Sequence, residues 1–488
     1  MDYVIGIDIG TGSVKAVSVD LEGKSFGAVQ QYYSFNSPKP GFHEQNPEEI
    51  WDAFKKSMDE MIVEVGNMPK AICLSSAMHS LIPVDETGAA LAPMITWADN
   101  RSAEIAKKLR QSEIGLSIYK ATGTPLHAMS PLCKIIWLKE NDPDLFARTS
   151  KFISIKEYIW YKLFKEFKID HSIASCTGLF DVNQLIWHKN ALNMAGIGDE
   201  LLSEPVPTDY MKFLESGVPV VIGASDGCMA NLGSGGIKPG IAVMTIGTSG
   251  AVRIASDRPL PNEKAMTFSY ILDKQTFICG GPINNGGIAL QWWLKSNSKQ
   301  ELEETDYDQL FAEVAAIKAG SNGLLFLPYL TGDRAPIWDS EGCGVFFGAK
   351  LAHDKGHFSR AVLEGICYAM YDVLVAIEEN SAPVKQINIS GGIVKSEIWM
   401  QIMADITGKD VVITQTEDAS AVGAALLAMK TLGLIGNYPD LLATDLKTIK
   451  ANFSSTEIYL RNFIIYKKLY ADLKDTMHEF HNMNAQRD

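Results

Sequence analysis

The sequence predicts an α/β protein of two domains with a cleft between them. Its 488 residues are too many for one hydrophobic core. Short apolar runs that end in glycine-rich turns alternate with helical patterns, as expected for α/β domains. One glycine motif also occurs twice, about half a chain apart. We place the domain boundary near residues 235–245, which gives an N-terminal domain of residues 1–240 and a C-terminal domain of residues 241–488.

The composition excludes several classes of protein. With 46% hydrophobic and 21% charged residues the chain should fold as an ordinary globule, and its net charge of -14 disfavours nucleic acid or an anionic membrane as partner. The seven cysteines form no C-x-x-C pair, and the start of the chain has no signal-peptide pattern. No apolar run has the length of a membrane span. We therefore expect a soluble cytoplasmic protein with buried free thiols.

The repeated motif reads IGTGSVKAV at residues 9–17 and IGTSGAVRI at residues 246–254. In both copies an apolar run precedes the turn and strand-like residues follow it, so we predict strand, turn, strand. A P-loop needs a helix after the turn, and its G-x-x-x-x-G-K-[ST] pattern is absent. Small residues let backbone N–H groups approach an anion closely. Two such hairpins facing a cleft could hold the phosphates of one nucleotide, as in the actin-like (ribonuclease-H-like) ATPases.

Two aspartates stand at strand ends beside these turns. Asp8 ends the apolar run YVIGIDI (residues 3–9), where its carboxylate could hold hydrated Mg²⁺ or cap the amides of the turn. Asp226 follows the apolar run of residues 218–222 and could take a proton from a substrate hydroxyl. The alternative for Asp226 is an ordinary turn residue.

Polar and aromatic side chains also follow two further strand-like segments, at residues 70–79 and 93–101. His79 ends the first segment, and the second contains Trp97, Asp99 and Arg101. Ligands of open α/β sheets bind at the carboxyl ends of strands. This clustering favours a site that binds the hydroxyl groups or the carboxylate of a ligand, although a single His or Trp is more often part of a core.

The remaining segments supply helices and connecting turns. We predict helices at residues 47–66, 130–142, 152–167, 359–379, 419–433 and 456–482, and a Ser/Thr-rich turn region at 170–181. In residues 280–294 a glycine and asparagine loop leads into an apolar helix, whose N-terminus is suited to an anion or nucleotide. Residues 324–339 place Asp333 in a Gly/Pro turn, and residues 387–408 read as strand, Gly-Gly turn, helix.

Six segments together carry a family resemblance over essentially the whole chain. They are GIDIGTGSVK, MSPLCKIIW (129–137), GASDG, TIGTSG, LPYLTGDRAP and SGGIVKS, in this order. The chain resembles the FGGY carbohydrate kinases, which include glycerol kinase, xylulokinase and gluconokinase. SSAMHS (75–80), ITWADNRS (95–102) and GGPINNGG (280–287) look most like gluconokinase. Xylulokinases carry Gln where Ala77 stands, and glycerol kinases carry Arg-Glu where Met78 and His79 stand.

The resemblance implies transfer of the γ-phosphoryl group of ATP, with Mg²⁺, to the 6-hydroxyl of D-gluconate. Asp226 would be the general base and Asp8 would hold Mg²⁺ through water. The phosphates would lie against Thr11, Gly12, Ser13, Lys15, Gly247 and Thr248; the ribose and adenine against Gly287, Gln291, Gly391, Gly392 and Ser396; and the sugar acid against Met78, His79, Trp97, Asp99, Arg101 and Asn285. Many relatives have Thr or Ser where Gly12 stands, so one hydroxyl contact is lost here.

Two alternatives to a gluconate kinase remain open at this point. One is a kinase of another sugar or polyol such as xylulose, and the other is an actin-like ATPase switch without a small-molecule acceptor. The resemblance leaves a homodimer open and implies no nucleic-acid or membrane partner.

Overall fold

A computed structural model of the chain describes residues 2–297, 303–414, 418–438 and 447–485. The described chain forms two compact units. The first contains residues 2–237, residues 255–279 and the described residues between 416 and 441; the second contains residues 238–254 and the described residues within 280–415 and 442–488. None of the helices in these ranges has the length and hydrophobicity needed to cross a bilayer.

Strands and helices alternate along the N-terminal half. The strands are β1 Tyr3–Ile9, β2 Ser13–Asp20, β3 Ser25–Tyr32, β4 Glu44–Gln45, β5 Ile72–Ser76, β6 Ile82–Val84, β7 Met94–Ile95, β8 Lys151–Ile153, β9 Lys168–Asp170, β10 Phe180–Asp181, β11 Ile186–Trp187, β12 Glu204–Val206, β13 Met211–Phe213 and β14 Pro219–Ser225. The helices are α1 Pro47–Val65, α2 Ala103–Arg110, α3 Glu113–Thr122, α4 Pro131–Asn141, α5 Pro143–Arg148, α6 Ile155–Phe164, α7 His171–Ser175, α8 Lys189–Ala195 and α9 Asp226–Gly233.

The C-terminal half alternates in the same way. Its strands are β15 Ile241–Ile246, β16 Gly250–Ser256, β17 Phe268–Asp273, β18 Thr276–Ile283, β19 Leu325–Pro328, β20 Gly344–Phe347, β21 Gln386–Gly391, β22 Asp410–Ile413 and β23 Thr448–Ile449. Its helices are α10 Gly287–Asn297, α11 Glu304–Ala316, α12 Lys355–Glu378, α13 Glu397–Thr407, α14 Ala419–Thr431 and α15 Phe453–Ala485.

The first unit is built on a six-stranded sheet in the order β13-β14-β5-β1-β2-β3. β1 pairs antiparallel with β2 and parallel with β5, and β14 pairs parallel with β5. Because β1 and β5 are central, both of their faces are buried, which explains their nearly continuous apolar sequences. Residues of α1 and α6 pack on one face and residues of α9 and α14 on the other.

In the second unit β15 and β16 form an antiparallel hairpin. β21 pairs parallel with β15, β22 pairs parallel with β21, and β23 pairs antiparallel with β22. Both glycine motifs therefore lie in antiparallel hairpins, since β1 and β2 enclose the first motif and β15 and β16 the second. The prediction of strand, turn, strand at each motif is confirmed.

Local capping explains where helices begin and where the prediction was wrong. Helix α1 begins at Pro47 as predicted, because the Asn46 side chain accepts a hydrogen bond from Glu48 N. The single helix predicted over 152–167 is instead strand β8 followed by α6. Ser154 and Glu157 form a capping box that starts the helix only at Ile155. Likewise the turn region predicted at 170–181 contains the short helix α7, capped by Asp170.

The cysteines agree with the prediction of free thiols. None of the seven, all of them described, forms a disulfide, and all but the half-buried Cys343 are buried. Burial raises the pKa of the Cys73 thiol to about 12, so this group stays protonated and unreactive at neutral pH.

Candidate active site

Three parallel strands of the first unit end together at one edge of its sheet. The register pairs Ile9 with Ser76, and Ser76 with Ser225. The first glycine turn, the segment that ends in His79, and Asp226 therefore follow neighbouring strand ends. This is the edge at which open α/β sheets bind ligands.

The first glycine turn is held from behind by two side chains. Tyr33 donates its hydroxyl to Gly10 O and its backbone N–H to Gly12 O, at 3.2 Å in the second case. Gln45 donates Nε2 to Thr11 O at 2.7 Å. Thr11 and Gly12 themselves are exposed. The turn is thus fixed through its carbonyl groups while its outer surface stays open to a ligand.

Asp8 lies directly behind this turn. Its Oδ1 accepts a hydrogen bond from Ser75 Oγ at 2.7 Å, and burial raises the pKa of its carboxyl group. A cation would offset the cost of burying this charge. The described residues contain no group of three or more His, Cys, Asp or Glu side chains suited to a metal. Asp8 offers the carboxylate oxygen that Mg²⁺ prefers as a ligand and would be the residue to hold the ion; the binding of Mg²⁺ here stays a prediction.

Lys15, predicted to lie near the phosphates, forms an ion pair with Asp418 at the start of α14. Asp418 raises the pKa of Asp8, and Lys15 lowers it, so all three charges interact. Asp418 could not be predicted as a partner of Lys15, because α14 is distant along the chain from the first hairpin.

His79 is held rigidly at the end of its segment. It adopts a left-handed conformation with φ of 65°, which is uncommon outside glycine. Its Nδ1 donates to Cys176 O at 2.7 Å, and its Nε2 lies 3.4 Å from the hydroxyl of Tyr270. Because a carbonyl only accepts, Nδ1 carries the proton, and the ring is buried and oriented. Met78, beside it, is half-buried.

Trp97 connects the second predicted segment to the glycine turn. Its indole Nε1 donates to Thr11 Oγ1 at 2.9 Å, and its ring is half-buried. One hydrogen bond therefore joins a residue predicted to face the sugar acid to a residue predicted to face phosphate.

Asp99 and Arg101 bind each other. Asp99 is fully buried and accepts from Arg101 Nε at 2.9 Å, from Arg101 Nη2 at 2.8 Å and from His43 N at 2.7 Å. Arg101 also donates to Glu44 at 2.6 Å and lies over the ring of Phe42. Their contact with a sugar acid stays a prediction, and the structure gives them a role in fixing the segment of residues 42–44.

Lys134, from the segment MSPLCKIIW, is a fully buried lysine in α4. Its Nζ donates to His79 O at 2.5 Å and to Thr96 O at 2.7 Å. The lysine thus ties together both segments predicted to bind the sugar. Burial, opposed by Asp99 and reinforced by Arg101, lowers the pKa of Lys134 to about 7.

Lys134→Met should change how stability depends on pH. The pKa of Lys134 is about 7 in the folded chain against an ordinary value of 10.5, so between these values only the unfolded state binds the proton. The free energy of unfolding of the wild type should therefore rise with pH relative to that of the variant, by up to about 1.4 kcal/mol per pH unit. Urea unfolding of both proteins across this window measures the difference. A constant difference would contradict the lowered pKa.

Asp226 begins helix α9 directly after β14. Its Oδ1 accepts from Gly227 N at 2.7 Å, and its carbonyl accepts from Ser420 Oγ at 3.2 Å. Helix α9 packs on α14 through glycines: a Cβ on Gly423 would lie 2.0 Å from Met229 O. The small residues of α14, read from the sequence as suited to close packing, therefore fix the helix that carries Asp226.

In the second unit the predicted nucleotide residues meet around the other glycine turn. Ile246 pairs with Gly391, so Gly247 and the Gly-Gly turn follow neighbouring strand ends. Gly287 N donates to Gly247 O at 2.6 Å, which places the start of α10 against the hairpin. Five of the predicted residues are exposed: Gly247, Thr248, Gln291, Gly391 and Gly392.

Two other predicted residues of this unit have structural partners. The fully buried Asn285 donates to Gly332 O at 2.6 Å and accepts from Thr331 N at 3.3 Å. Ser396 caps α13 by accepting from Trp399 N at 3.3 Å. Asp333, in the Gly/Pro turn, is buried; burial raises its pKa to about 6, against hydrogen bonds from Asn284 N and Arg334 N. The proposed contacts of Asn285 and Ser396 with ligands remain predictions.

Comparison with known proteins supplies the family. The N-terminal domain of the FGGY family of carbohydrate kinases matches residues 3–233, and the C-terminal domain of that family matches residues 242–432. The chain belongs to the FGGY family of carbohydrate kinases. The kinase is 40% identical to the gluconokinase of Bacillus licheniformis over 455 residues, which cover 89% of each chain.

Solved structures agree with the fold class. The kinase matches a gluconate kinase from Lactobacillus acidophilus with a TM-score of 0.93 and 31% identity, over 98% of this chain and 99% of that one. It matches a ligand-bound xylulose kinase from Lactobacillus acidophilus with the same TM-score and identity, over 98% of this chain and 100% of that one. The prediction of a two-domain fold of the actin-like class is confirmed. Membership of this family also implies that the kinase uses ATP. It excludes the alternative of an ATPase switch without a sugar acceptor.

Proposed function

We propose that the kinase transfers the γ-phosphoryl group of ATP to the 6-hydroxyl of D-gluconate and releases ADP and 6-phosphogluconate. The observation that carries this proposal is the meeting of the glycine turn, the His79 segment and Asp226 at one sheet edge, in a family member 40% identical to a gluconokinase. The seven free thiols fit action in the reducing cytoplasm.

The mechanism assigns the proton to Asp226. Its carboxylate accepts the proton of the 6-hydroxyl as the oxygen forms its bond to the γ-phosphorus and the bond from that phosphorus to ADP breaks. Magnesium held by Asp8 through water would neutralise charge on the phosphates. The protein mainly positions the reactants and stabilises the charge of the transition state, because phosphoryl transfer requires little covalent chemistry from side chains.

We assign the acceptor and the base to the N-terminal domain (1–240) and the nucleotide to the C-terminal domain (241–488). The exposed residues around Gly247, Gly287 and Gly392 support the second assignment. Small residues allow close approach of a nucleotide, and the N-terminus of α10 favours its negative charge.

The sugar acid carries a carboxylate that an acidic protein must bind locally. Arg101 is engaged by Asp99 and Glu44, so we assign the carboxylate to the backbone amides beside Met78, in the segment that the imidazole of His79 fixes through its hydrogen bond to Cys176 O. A left-handed residue in a tight segment can turn successive N–H groups to one side, which suits an anion.

The acceptor assignment predicts a preference for gluconate. A buried donor left without its acceptor costs about 1–3 kcal/mol, so a site shaped for a sugar acid rejects a neutral sugar. We expect kcat/KM for gluconate to exceed that for xylulose and for glycerol by at least about tenfold. His79→Ala should lower kcat/KM for gluconate more than kcat/KM for xylulose or glycerol, which reduces this ratio.

The test measures ATP turnover with gluconate, xylulose, glycerol and no acceptor. Tyr270→Phe is the matched control for His79→Ala, since it removes only the hydroxyl 3.4 Å from the imidazole and should leave the ratio within about twofold. If xylulose proves the better substrate, the gluconate assignment fails and the family assignment stands.

A further inference from the structure

Strand β14, which delivers Asp226, has an irregularity in its pairing with β5 shortly before it ends. The register of β14 against β5 shifts between Val221 and Ala224. Gly223 lies at this irregularity with φ of 73°, and a Cβ there would lie 1.8 Å from Leu74 O. Bulges of this kind re-aim the residues that follow them. Pairing with β5 resumes at Ala224 and Ser225, whereas pairing with β13 stops at Val221, so the backbone groups of residues 224 and 225 that do not bond β5 need other partners.

Two buried side chains supply those partners. Lys156 in α6 donates Nζ to Ala224 O at 2.9 Å. Ser172 in α7 accepts from Ser225 N at 3.0 Å and donates to Ser225 Oγ at 3.1 Å. Lys156 is 1% exposed, and Ser172 and Ser225 are 0% exposed. The two residues immediately before Asp226 are thus fixed by side chains of two different helices.

Asp170 joins these two contacts. Its Oδ2 lies 2.8 Å from Lys156 Nζ, and its Oδ1 accepts from Ile173 N at 3.0 Å, which caps the helix that carries Ser172. Both charged side chains of this pair are 1% exposed. A buried ion pair is weak evidence for stability, because well-packed apolar residues often serve as well or better. An apolar pair, however, could not donate a hydrogen bond to Ala224 O.

We propose that Lys156, Asp170 and Ser172 form a brace that positions the catalytic carboxylate of Asp226. The brace does not touch substrate; it fixes the end of β14, from which α9 and Asp226 begin. This inference rests on the proposed function, in which Asp226 is the base. A misplaced base slows the chemical step, because proton transfer requires hydrogen-bond reach. Binding of gluconate and ATP uses other segments and should change little.

The test uses Lys156→Met combined with Asp170→Asn, which removes both charges together and leaves an amide oxygen to cap α7. We expect kcat to fall about tenfold to a hundredfold, with KM for gluconate and for ATP within about twofold. The acidic limb of the pH profile of kcat should also move. Ser172→Ala is the milder second variant, with an expected fall in kcat of about threefold to tenfold.

Lys134→Met is the matched control, since Lys134 is another fully buried lysine whose Nζ binds backbone carbonyls. It should raise KM for gluconate rather than lower kcat. Thermal unfolding identifies any variant that fails to fold, in which case Ser172→Ala decides. If folded brace variants keep kcat within about twofold, or raise only the gluconate KM, the proposal is overturned. Asp226→Asn separates the two hypotheses: full turnover in that variant refutes the base, whereas normal turnover in the brace variants refutes the brace.

Discussion

Asp226→Asn is expected to lose phosphoryl transfer by about a hundredfold to ten-thousandfold while it folds and binds ATP as the wild type does. The amide has the shape of the carboxylate and can still accept the hydrogen bond from Gly227 N. It cannot take the proton of the sugar hydroxyl. Steady-state kcat, thermal unfolding and binding of a non-hydrolysable ATP analogue together measure the effect.

The control for this variant is Asp144→Asn. Asp144 also lies in the first turn of a helix, α5, but is exposed at the surface. Its replacement should leave kcat unchanged, which shows that loss of a helix-terminal charge alone is harmless. Turnover of Asp226→Asn within a few-fold of the wild type would remove Asp226 from the role of base.

The glycine hairpins could be predicted from the sequence because their signal is local. Small residues between two apolar runs specify a turn, and the second copy of the motif made chance unlikely. The strand ends that carry Asp8 and Asp226 are local for the same reason. Their meeting at one edge follows from parallel pairing of β1, β5 and β14, which is the general rule for such sheets.

Side-chain partners distant along the chain could not be predicted in this way. The ion pair of Lys15 with Asp418 joins the first hairpin to a helix near the other end of the chain. Arg101 forms ion pairs with Asp99 and Glu44 that the sequence did not indicate, while its contact with a sugar carboxylate stays a prediction. An arginine reads the same in sequence whether its carboxylate partner belongs to a substrate or to the protein.

The burial of Lys134 is a feature that the sequence indicated but that was not among its predictions. It stands in the apolar run LCKII within a helix, so its burial could have been suspected from the sequence. The carbonyl oxygens that receive its Nζ, those of His79 and Thr96, follow only from the three-dimensional structure.

The two neighbouring glycines of the second unit should respond very differently to alanine. Gly391 has φ of 89°, and a Cβ there would lie 2.3 Å from Ile246 O. Gly392 has no positive φ, and its Cβ would lie 3.7 Å from the same oxygen, at ordinary contact distance. Gly391→Ala must therefore displace the end of β15, from which Gly247 and Thr248 continue.

We expect Gly391→Ala to lower kcat/KM for ATP at least about tenfold, since left-handed strain and a displaced backbone cost about 1–3 kcal/mol. Its KM for gluconate at saturating ATP should stay within about twofold, because Gly391 belongs to the unit assigned to the nucleotide. Gly392→Ala should have the same unfolding temperature as the wild type. It should change kcat/KM for ATP only to the extent that the new methyl group contacts the nucleotide. If kcat/KM for ATP is unchanged in both variants, the nucleotide binds away from this turn. The backbone displaced at Ile246 would then not contribute to nucleotide binding.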